Sequence, residues 1–322
     1  MFLLTDPCTD PAWNLAAEEY LLTGRNEPFV RLWRNSDSVI IGRNQNAWAE
    51  IDAGYVEREG IPLIRRLTGG GAVFHDLGNV NYSFFDLNGI RFTEVMAAAL
   101  KELGLDVRSE GRNDLTLEGM KISGTAACER GGRRLEHGTL LFDASLDRLA
   151  AALRPRPEKF EGKGVRSVRK RVANLAEHLP AGMSVEGFMT FLAGYLADAL
   201  DCEAYELTGE DRAAIEEIKS QRYGLRQWNF GASPACSFQK VRKFPAGLVE
   251  AHFEVEKGCI RKLQVFGDYF FNRPTAEFCA LLEGCPYAHE EIADRMENIA
   301  VGEYFLGITP EEMVSLLYSS RS

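Results

Sequence analysis

Apolar residues recur at helical spacing from Trp13 through Ala16, Ala17, Tyr20 and Leu21, directly after Asp10 and Pro11. An aspartate followed by proline is a helix start, the first as cap and the second pre-set for the first turn. The pattern then shortens to strand-length runs, Phe29-Val30-Arg31-Leu32-Trp33 and, after Asn35-Ser36-Asp37, Ser38-Val39-Ile40-Ile41. Ile61 to Arg66 predicts a third strand. It runs into Gly69-Gly70-Gly71, then Ala72-Val73-Phe74-His75, then Asn81-Tyr82-Ser83-Phe84-Phe85. Thr93 to Leu103 reads as a helix stopped by Gly104. Asp114 to Leu117 alternates, breaks at Glu118-Gly119 and resumes as Met120-Lys121-Ile122-Ser123, which predicts a β-hairpin. Strict alternation there puts Lys121 and Ser123 on one face and Met120 and Ile122 on the other. Gly131-Gly132 and His137 to Phe142 add another turn and strand, and the stretch from about 184 to 220 is helical in pattern.

Near 233 the pattern changes. Ser237 to Phe244 and Leu248 to Val255 flank Pro245-Ala246-Gly247, and Glu256-Lys257-Gly258 turns into Ile260 to Phe266. Helices follow, the last opening with the capping box Thr309-Pro310-Glu311-Glu312. The expectation is an α/β (α+β) chain of two parts: a large domain with mixed and antiparallel sheets over 1–233, and a small α+β domain over 234–322.

Composition narrows this. The 322 residues suffice for about two domains. A formal charge of −10 argues against a dedicated nucleic-acid binder. No run approaches the roughly 18 apolar residues of a membrane span. The N-terminal Met1-Phe2-Leu3-Leu4-Thr5-Asp6 lacks the basic segment of a signal peptide. Seven cysteines without a Cys-x-x-Cys pair predict neither a disulfide framework nor a zinc ribbon. A cytoplasmic protein is expected, with neither nucleic acid nor membrane as partner.

Three features carry candidate chemistry. Arg65-Arg66-Leu67-Thr68-Gly69-Gly70-Gly71 lacks the ending of a P-loop and opens no Gly-x-Gly-x-x-Gly helix. Its glycines still let a backbone approach an anion, and its arginines offer forked donors; the alternative is a tight hairpin turn with incidental arginines. Lys121 is either a solvated strand lysine or a point charge beside a phosphate. Asn113-Asp114 on the same hairpin offers oxygen ligands for Mg²⁺. Eight Lys/Arg and two Glu between Arg154 and Arg171, among prolines and glycines, form either a solvated loop or a cationic flap over a polyphosphate. Cys128 is either an inert small hydrophobe or, with Lys121 and His137, part of a set suited to acyl transfer through a thioester, and His137 is either a ligand contact or a satisfied core histidine.

Together these segments resemble the lipoate–protein ligase A family. The resemblance is carried by Arg31-Leu32-Trp33, Gly42-Arg43-Asn44-Gln45-Asn46, Arg66 through Asn79, Arg112-Asn113-Asp114, Lys121-Ile122-Ser123-Gly124, His137-Gly138-Thr139 and Lys163 through Leu175. The part after 233 resembles the accessory C-terminal domain of the bacterial ligases. The resemblance implies a biotin/lipoate-ligase-like catalytic domain that activates lipoate with ATP to lipoyl-AMP, releasing pyrophosphate, then transfers the lipoyl group to an acceptor lysine.

It further implies Lys121 as the catalytic lysine, contacting both nucleotide and acyl group, and Arg66, Gly71, Ala72, Val73, Phe74 and Lys163 at the ATP and adenylate site. Trp33, Gly70, His75 and His137 would border the lipoate, and Asp114 would hold Mg²⁺. The acceptors implied are the lipoyl domains of 2-oxoacid dehydrogenase E2 subunits and the glycine-cleavage H protein, served by a monomer. The sequence departs from the family's pattern at Leu67-Thr68 and at Glu136, where a second histidine is common. The rivals are an ATP-independent octanoyl or lipoyl transferase with Cys128 as nucleophile, a biotin ligase, and a silent lipoyl-domain binder.

Overall fold

Asp10 caps the first helix, Pro11–Thr23, its carboxylate accepting from the backbone N–H groups of Ala12 and Trp13. The computed structural model describes residues 1–86, 89–110, 114–153, 172–179, 182–231, 236–267 and 269–318. Contacts divide the chain into two compact units: Met1–Arg43 with Ile61–Leu225, and Asn44–Gly60 with Arg226–Ser322. Residues 44–60 thus pack with the C-terminal part of the chain, and their own hydrophobic pattern carries no mark of it.

Eleven strands are described in the first unit: β1 (Phe2–Thr5), β2 (Phe29–Arg34), β3 (Ser38–Ile41), β4 (Leu63–Arg65), β5 (Val73–His75), β6 (Asn79–Phe85), β7 (Val107–Glu110), β8 (Asp114–Leu117), β9 (Met120–Arg130), β10 (Arg133–Leu141) and β11 (Glu203–Tyr205). Eight form one mixed sheet in the order β11-β1-β2-β6-β10-β9-β8-β7, parallel at β11-β1-β2 and antiparallel from there on. The other three form a small sheet, β4-β3-β5. Glu118-Gly119 and Gly131-Gly132 all have positive φ, so both hairpins close through two left-handed residues.

Alternation along β2, β6 and β10 gives the large sheet two unlike faces. Val30, Leu32, Val80, Tyr82, Phe84 and Leu140 join a hydrophobic core with residues of the helices Phe92–Glu102 and Val185–Leu200. The opposite face is buried yet polar: Arg31, Asn79, Asn81, Ser83 and His137 lie there. The first helix adds Asn14 and Glu18, both buried. One departure from the sequence reading lies at 184–220. Asp201 takes a left-handed conformation and ends the helix, and β11 intervenes before the next helix, Gly209–Ile218.

The second unit is built on an antiparallel sheet of β12 (Cys236–Phe244), β13 (Gly247–Glu256) and β14 (Cys259–Gly267). Val249, Ala251, Phe253 and Val255 of β13 share an apolar core with Phe278, Ile292 and Met313 of the helices beyond. Thr309 and Glu312 form the capping box expected of the last helix, Pro310–Leu317. Trp48 is buried in the same core, its ring 4.6 Å from Phe230 and 4.7 Å from Tyr287. Among the described residues, no helix is long and apolar enough to cross a membrane.

Candidate functional site

A cavity of about 260 Å³ opens on the polar face of the large sheet. Its wall includes Trp33, Arg66, Gly70, Gly71, Ala72, Val73, His75, Asp114, Lys121 and His137, with Leu15, Ile40, Asn81 and Ala126. Ten of the sequence-derived candidates therefore meet at one place. Phe74 does not line the cavity: alternation along β5 turns it to the opposite side from Val73 and His75. Its buried ring lies under the Arg148 guanidinium, 5.5 Å from the ring centre. Lys163, the rest of the basic run 154–171, Arg112 and Asn113 lie outside the described residues.

The triple glycine is not a hairpin turn. β4 and β5 each pair with β3, on opposite sides, so the loop between them crosses over that strand. Nor are the arginines incidental. Arg66 is buried and donates from Nε to Thr68 Oγ1 (2.9 Å), and from its Nη atoms to the carbonyls of Ile40 (3.2 Å), Gly69 (2.6 Å) and Gly71 (2.8 Å). Arg65 donates to the carbonyls of Gly42 (3.1 Å) and Arg43 (3.2 Å). The two guanidinium groups thus tie the glycine loop to the end of β3, so the arginines shape the loop first. Burial pushes the Arg66 guanidinium down to about 10, which leaves it cationic at neutral pH.

Two glycines here have a steric reason. Gly70 has φ of +92°, and a Cβ at Gly42 would collide with the Gly70 carbonyl.

Behind this loop runs a chain of buried hydrogen bonds. Trp33 Nε1 donates to Ser83 Oγ (2.8 Å), and Ser83 donates to Glu18 Oε1 (2.6 Å). His137 Nδ1 lies 2.9 Å from the same carboxylate oxygen, and its Nε2 lies 2.8 Å from Thr68 Oγ1. An ionised carboxylate only accepts, so the Nδ1 of His137 donates to Glu18. Burial raises the Glu18 carboxyl, but the charge and hydrogen bond of His137, with Ser83 and Arg31, outweigh it, and the group lies below its ordinary value.

His75 is held through Asn35 Nδ2, 3.0 Å from its Nδ1, while Asn35 Oδ1 accepts from Asn14. Asn35 therefore donates to His75, which places the imidazole proton on Nε2. Burial first, then Arg66 and His137, pushes His75 down to about 3, so the ring is neutral. Its Nε2 and the Nδ2 of Asn81 are buried without a partner among the described residues.

The exposed side of the cavity differs. Lys121 Nζ lies 2.8 Å from Asp114 Oδ1, and both side chains are about two-fifths exposed, at 42% and 41%. Their hairpin corrects the alternation expected from the sequence. Leu115 pairs with Ser123 but Thr116 pairs with Lys121, so Ile122 is an extra residue in β9. This β-bulge reverses the parity of the strand. Lys121 lies over Gly124 on the cavity side, whereas Ser123 faces the core and bonds to Tyr82 (3.1 Å). The two are on opposite faces.

Cys128 does not line the cavity, and burial, with the charge of Glu18, pushes its thiol up to about 11. A thiol so poorly ionised at neutral pH is ill suited to attack.

The sequence reading missed Glu18, Ser83, Thr68 and Asn81. The available signal was Asn14 and Glu18, one helical turn apart in an otherwise apolar stretch.

Comparison with known proteins agrees with the site. Residues 10–197 match the lipoyl protein ligase A/B catalytic domain, and residues 233–317 match the bacterial lipoate protein ligase C-terminus. A Bacillus subtilis protein named lipoate–protein ligase LplJ is 38% identical over 330 residues, covering 99% of this chain and all of its own. Among solved structures, a bipartite lipoate protein ligase of Thermoplasma acidophilum, described with its E2 lipoyl domain, is 32% identical at a TM-score of 0.62. It covers 72% of this chain and 96% of its own. A lipoate–protein ligase A bound with ATP is 31% identical at a TM-score of 0.61, covering 72% and 98%. The two domain matches follow one another in the order of the chain, and the identity extends along nearly all of it, so this protein belongs to the lipoate–protein ligases and is an enzyme of that family.

Proposed function

We propose that this enzyme activates lipoate with ATP to lipoyl-AMP and then transfers the lipoyl group to a lysine of an acceptor domain. One observation carries the reading: a half-exposed lysine, paired among the described residues with a carboxylate across the hairpin, stands at the open side of a cavity that Leu15, Trp33, Ile40 and Val73 line beside polar groups. At about 260 Å³ the cavity suits an acyl chain rather than a whole nucleotide conjugate. Trp33, Gly70, His75 and His137 then border the acyl chain. The nucleotide would lie toward Lys121, against Arg66, Gly71, Ala72 and Val73. Phe74 would support that wall from behind, and Lys163 belongs to the same assignment.

The chemistry needs activation, because a carboxylate and an amine do not condense in water. The lipoate carboxylate oxygen attacks the α-phosphorus of ATP; the P–O bond to the β-phosphate breaks and pyrophosphate leaves. Lys121 provides a positive charge where charge builds up on the phosphate and, later, on the carbonyl oxygen of the anhydride. In the second half-reaction the acceptor amine attacks that carbonyl, AMP departs with the bonding electrons, and the amine proton passes to solvent. Asp114 orients the ammonium group until substrate arrives. As the carboxylate on the cavity wall it also fits Mg²⁺, which typically takes few protein ligands and several from phosphate and water. When bound, the ion neutralises phosphate charge.

Acceptors are the lipoyl domains of 2-oxoacid dehydrogenase E2 subunits and the glycine-cleavage H protein. The Thermoplasma ligase described with its E2 lipoyl domain supports the first. We assign catalysis to the first unit and an accessory role to the C-terminal part, in a cytoplasmic monomer.

The test is pyrophosphate release with ATP and Mg²⁺ in the presence of lipoate, octanoate or biotin, followed by mass spectrometry of an added lipoyl domain. Lipoate-dependent release with modification of one lysine is expected. Acyl transfer between carrier domains without ATP would overturn the reading in favour of the transferase.

A further inference from the structure

The hairpin poses a problem that its own alternation does not solve. Ser123 faces the core, where its hydroxyl meets Tyr82 and both side chains are buried. In an unbroken strand the residue two before Ser123 faces the same way, which would drive the Lys121 ammonium into a cluster containing Tyr82, Phe84, Leu115 and Leu117. The extra residue Ile122, itself fully buried in that cluster, turns Lys121 back to the cavity.

Tyr82 can reach Ser123 only because position 138 is glycine. Tyr82 and Gly138 are paired across β6 and β10, and a Cβ at 138 would collide with the phenol. The aromatic side chain thus passes beneath Gly138 toward β9. On its other edge, the backbone of Lys121 is tied by a bridge to Val172 and by the Ala173 N–H to the Lys121 carbonyl (3.1 Å).

We infer that Tyr82, Ser123 and Gly138 are positioning residues for Lys121: the Tyr82–Ser123 hydrogen bond beneath Gly138 fixes the Ile122 bulge that delivers the lysine to the cavity. The inference rests on the ligase reading of Lys121. None of the three needs to touch substrate with its side chain. The bulge is a local register choice, and a register choice is held by whichever side chain cannot be moved to the other face.

Tyr82→Phe removes the hydroxyl and keeps the ring. In lipoate-dependent pyrophosphate release by the full-length enzyme, kcat is expected to fall about tenfold, with KM for ATP and for lipoate within about twofold. Ser123→Ala should give the same loss, and the double variant no more than either single one, because both remove one hydrogen bond. In a Lys121→Ala background Tyr82→Phe should leave the residual rate unchanged. Wild-type kcat in Tyr82→Phe, a loss carried by KM, or the same proportional loss in both backgrounds would each overturn the positioning role. Should Lys121→Ala itself turn over like wild type, the lysine assignment fails, and the inference with it. That result is distinct from a dead Lys121→Ala beside an intact Tyr82→Phe, which sinks the inference alone.

Discussion

The inner wall and the open rim of the cavity are built on opposite principles. Behind the inner wall, Glu18, Thr68 and Ser83 join the lining residues His137 and Arg66 in one buried network, each bonded to another or to backbone, so each fixes its neighbour. At the rim, Lys121 and Asp114 are half-exposed and joined by one ion pair in contact with solvent. A buried network contributes shape and stability and is costly to break, whereas an exposed pair contributes little stability and is free to exchange partners. The wall is fixed before any ligand arrives; the rim keeps its charge available for one.

The largest expected effect tests the rim. Lys121→Ala should lower lipoate-dependent pyrophosphate release by about 100- to 1,000-fold. Its urea unfolding free energy should stay within about 0.5 kcal/mol of wild type. A variant that lost stability as well would blur the distinction between rim and wall.

Glu18→Ala should show the reverse signature. It strips partners from Ser83 and from His137 Nδ1, and unfolding free energy should drop by about 2–4 kcal/mol. Equilibrium denaturation at pH 7.5 measures this, and a change below about 0.5 kcal/mol would mean the wall is not load-sharing as described.

A finer test uses pH. His75 stays neutral in the fold because burial holds it near 3, while the unfolded chain takes up that proton near the ordinary 6.5. The folded value is the depressed one, so protons favour the unfolded state and stability falls as pH drops below 6.5. From pH 7.5 to 5 this group alone should cost about 2 kcal/mol. Below 4.5 the lowered Glu18 carboxyl works in the same direction, its stabilising charge being lost as it protonates. His75→Gln, whose amide oxygen can accept from Asn35, should flatten the curve between pH 7.5 and 5. An unchanged slope would show that the histidine is not buried in neutral form.

The smallest expected effect is Cys128→Ala. With its thiol pushed up to about 11 and away from the cavity wall, the variant should keep turnover within about twofold. Loss of activity there would return the site to thioester chemistry.

Much was legible before any coordinate. The Asp10-Pro11 start, the two-residue turns at Glu118-Gly119 and Gly131-Gly132, the three C-terminal strands and the Thr309 capping box follow from local chemistry: a cap, a left-handed turn and a period of two need only near neighbours. Of the residues that meet at the cavity, Arg66, Gly70, Gly71, Asp114, Lys121 and His137 stood out in their own segments, whereas Trp33, Ala72, Val73 and His75 came only with the resemblance to the family.

Only tertiary structure decided the rest. Arg66 looked like a free phosphate donor, but the carbonyls of Ile40, Gly69 and Gly71 claim it, and one of them is brought near only by the pairing of β3 with β4. Glu18 became the partner of His137 across more than a hundred residues, a pairing that no local pattern encodes. Residues 44–60 went to the C-terminal core because Trp48 finds its aromatic partners there. The face on which Lys121 stands was set by one extra residue, since a strand's alternation is a default that a single bulge reverses. The sequence determined which residues this protein has to work with; burial and register, which depend on the whole chain at once, decided which of them face one another.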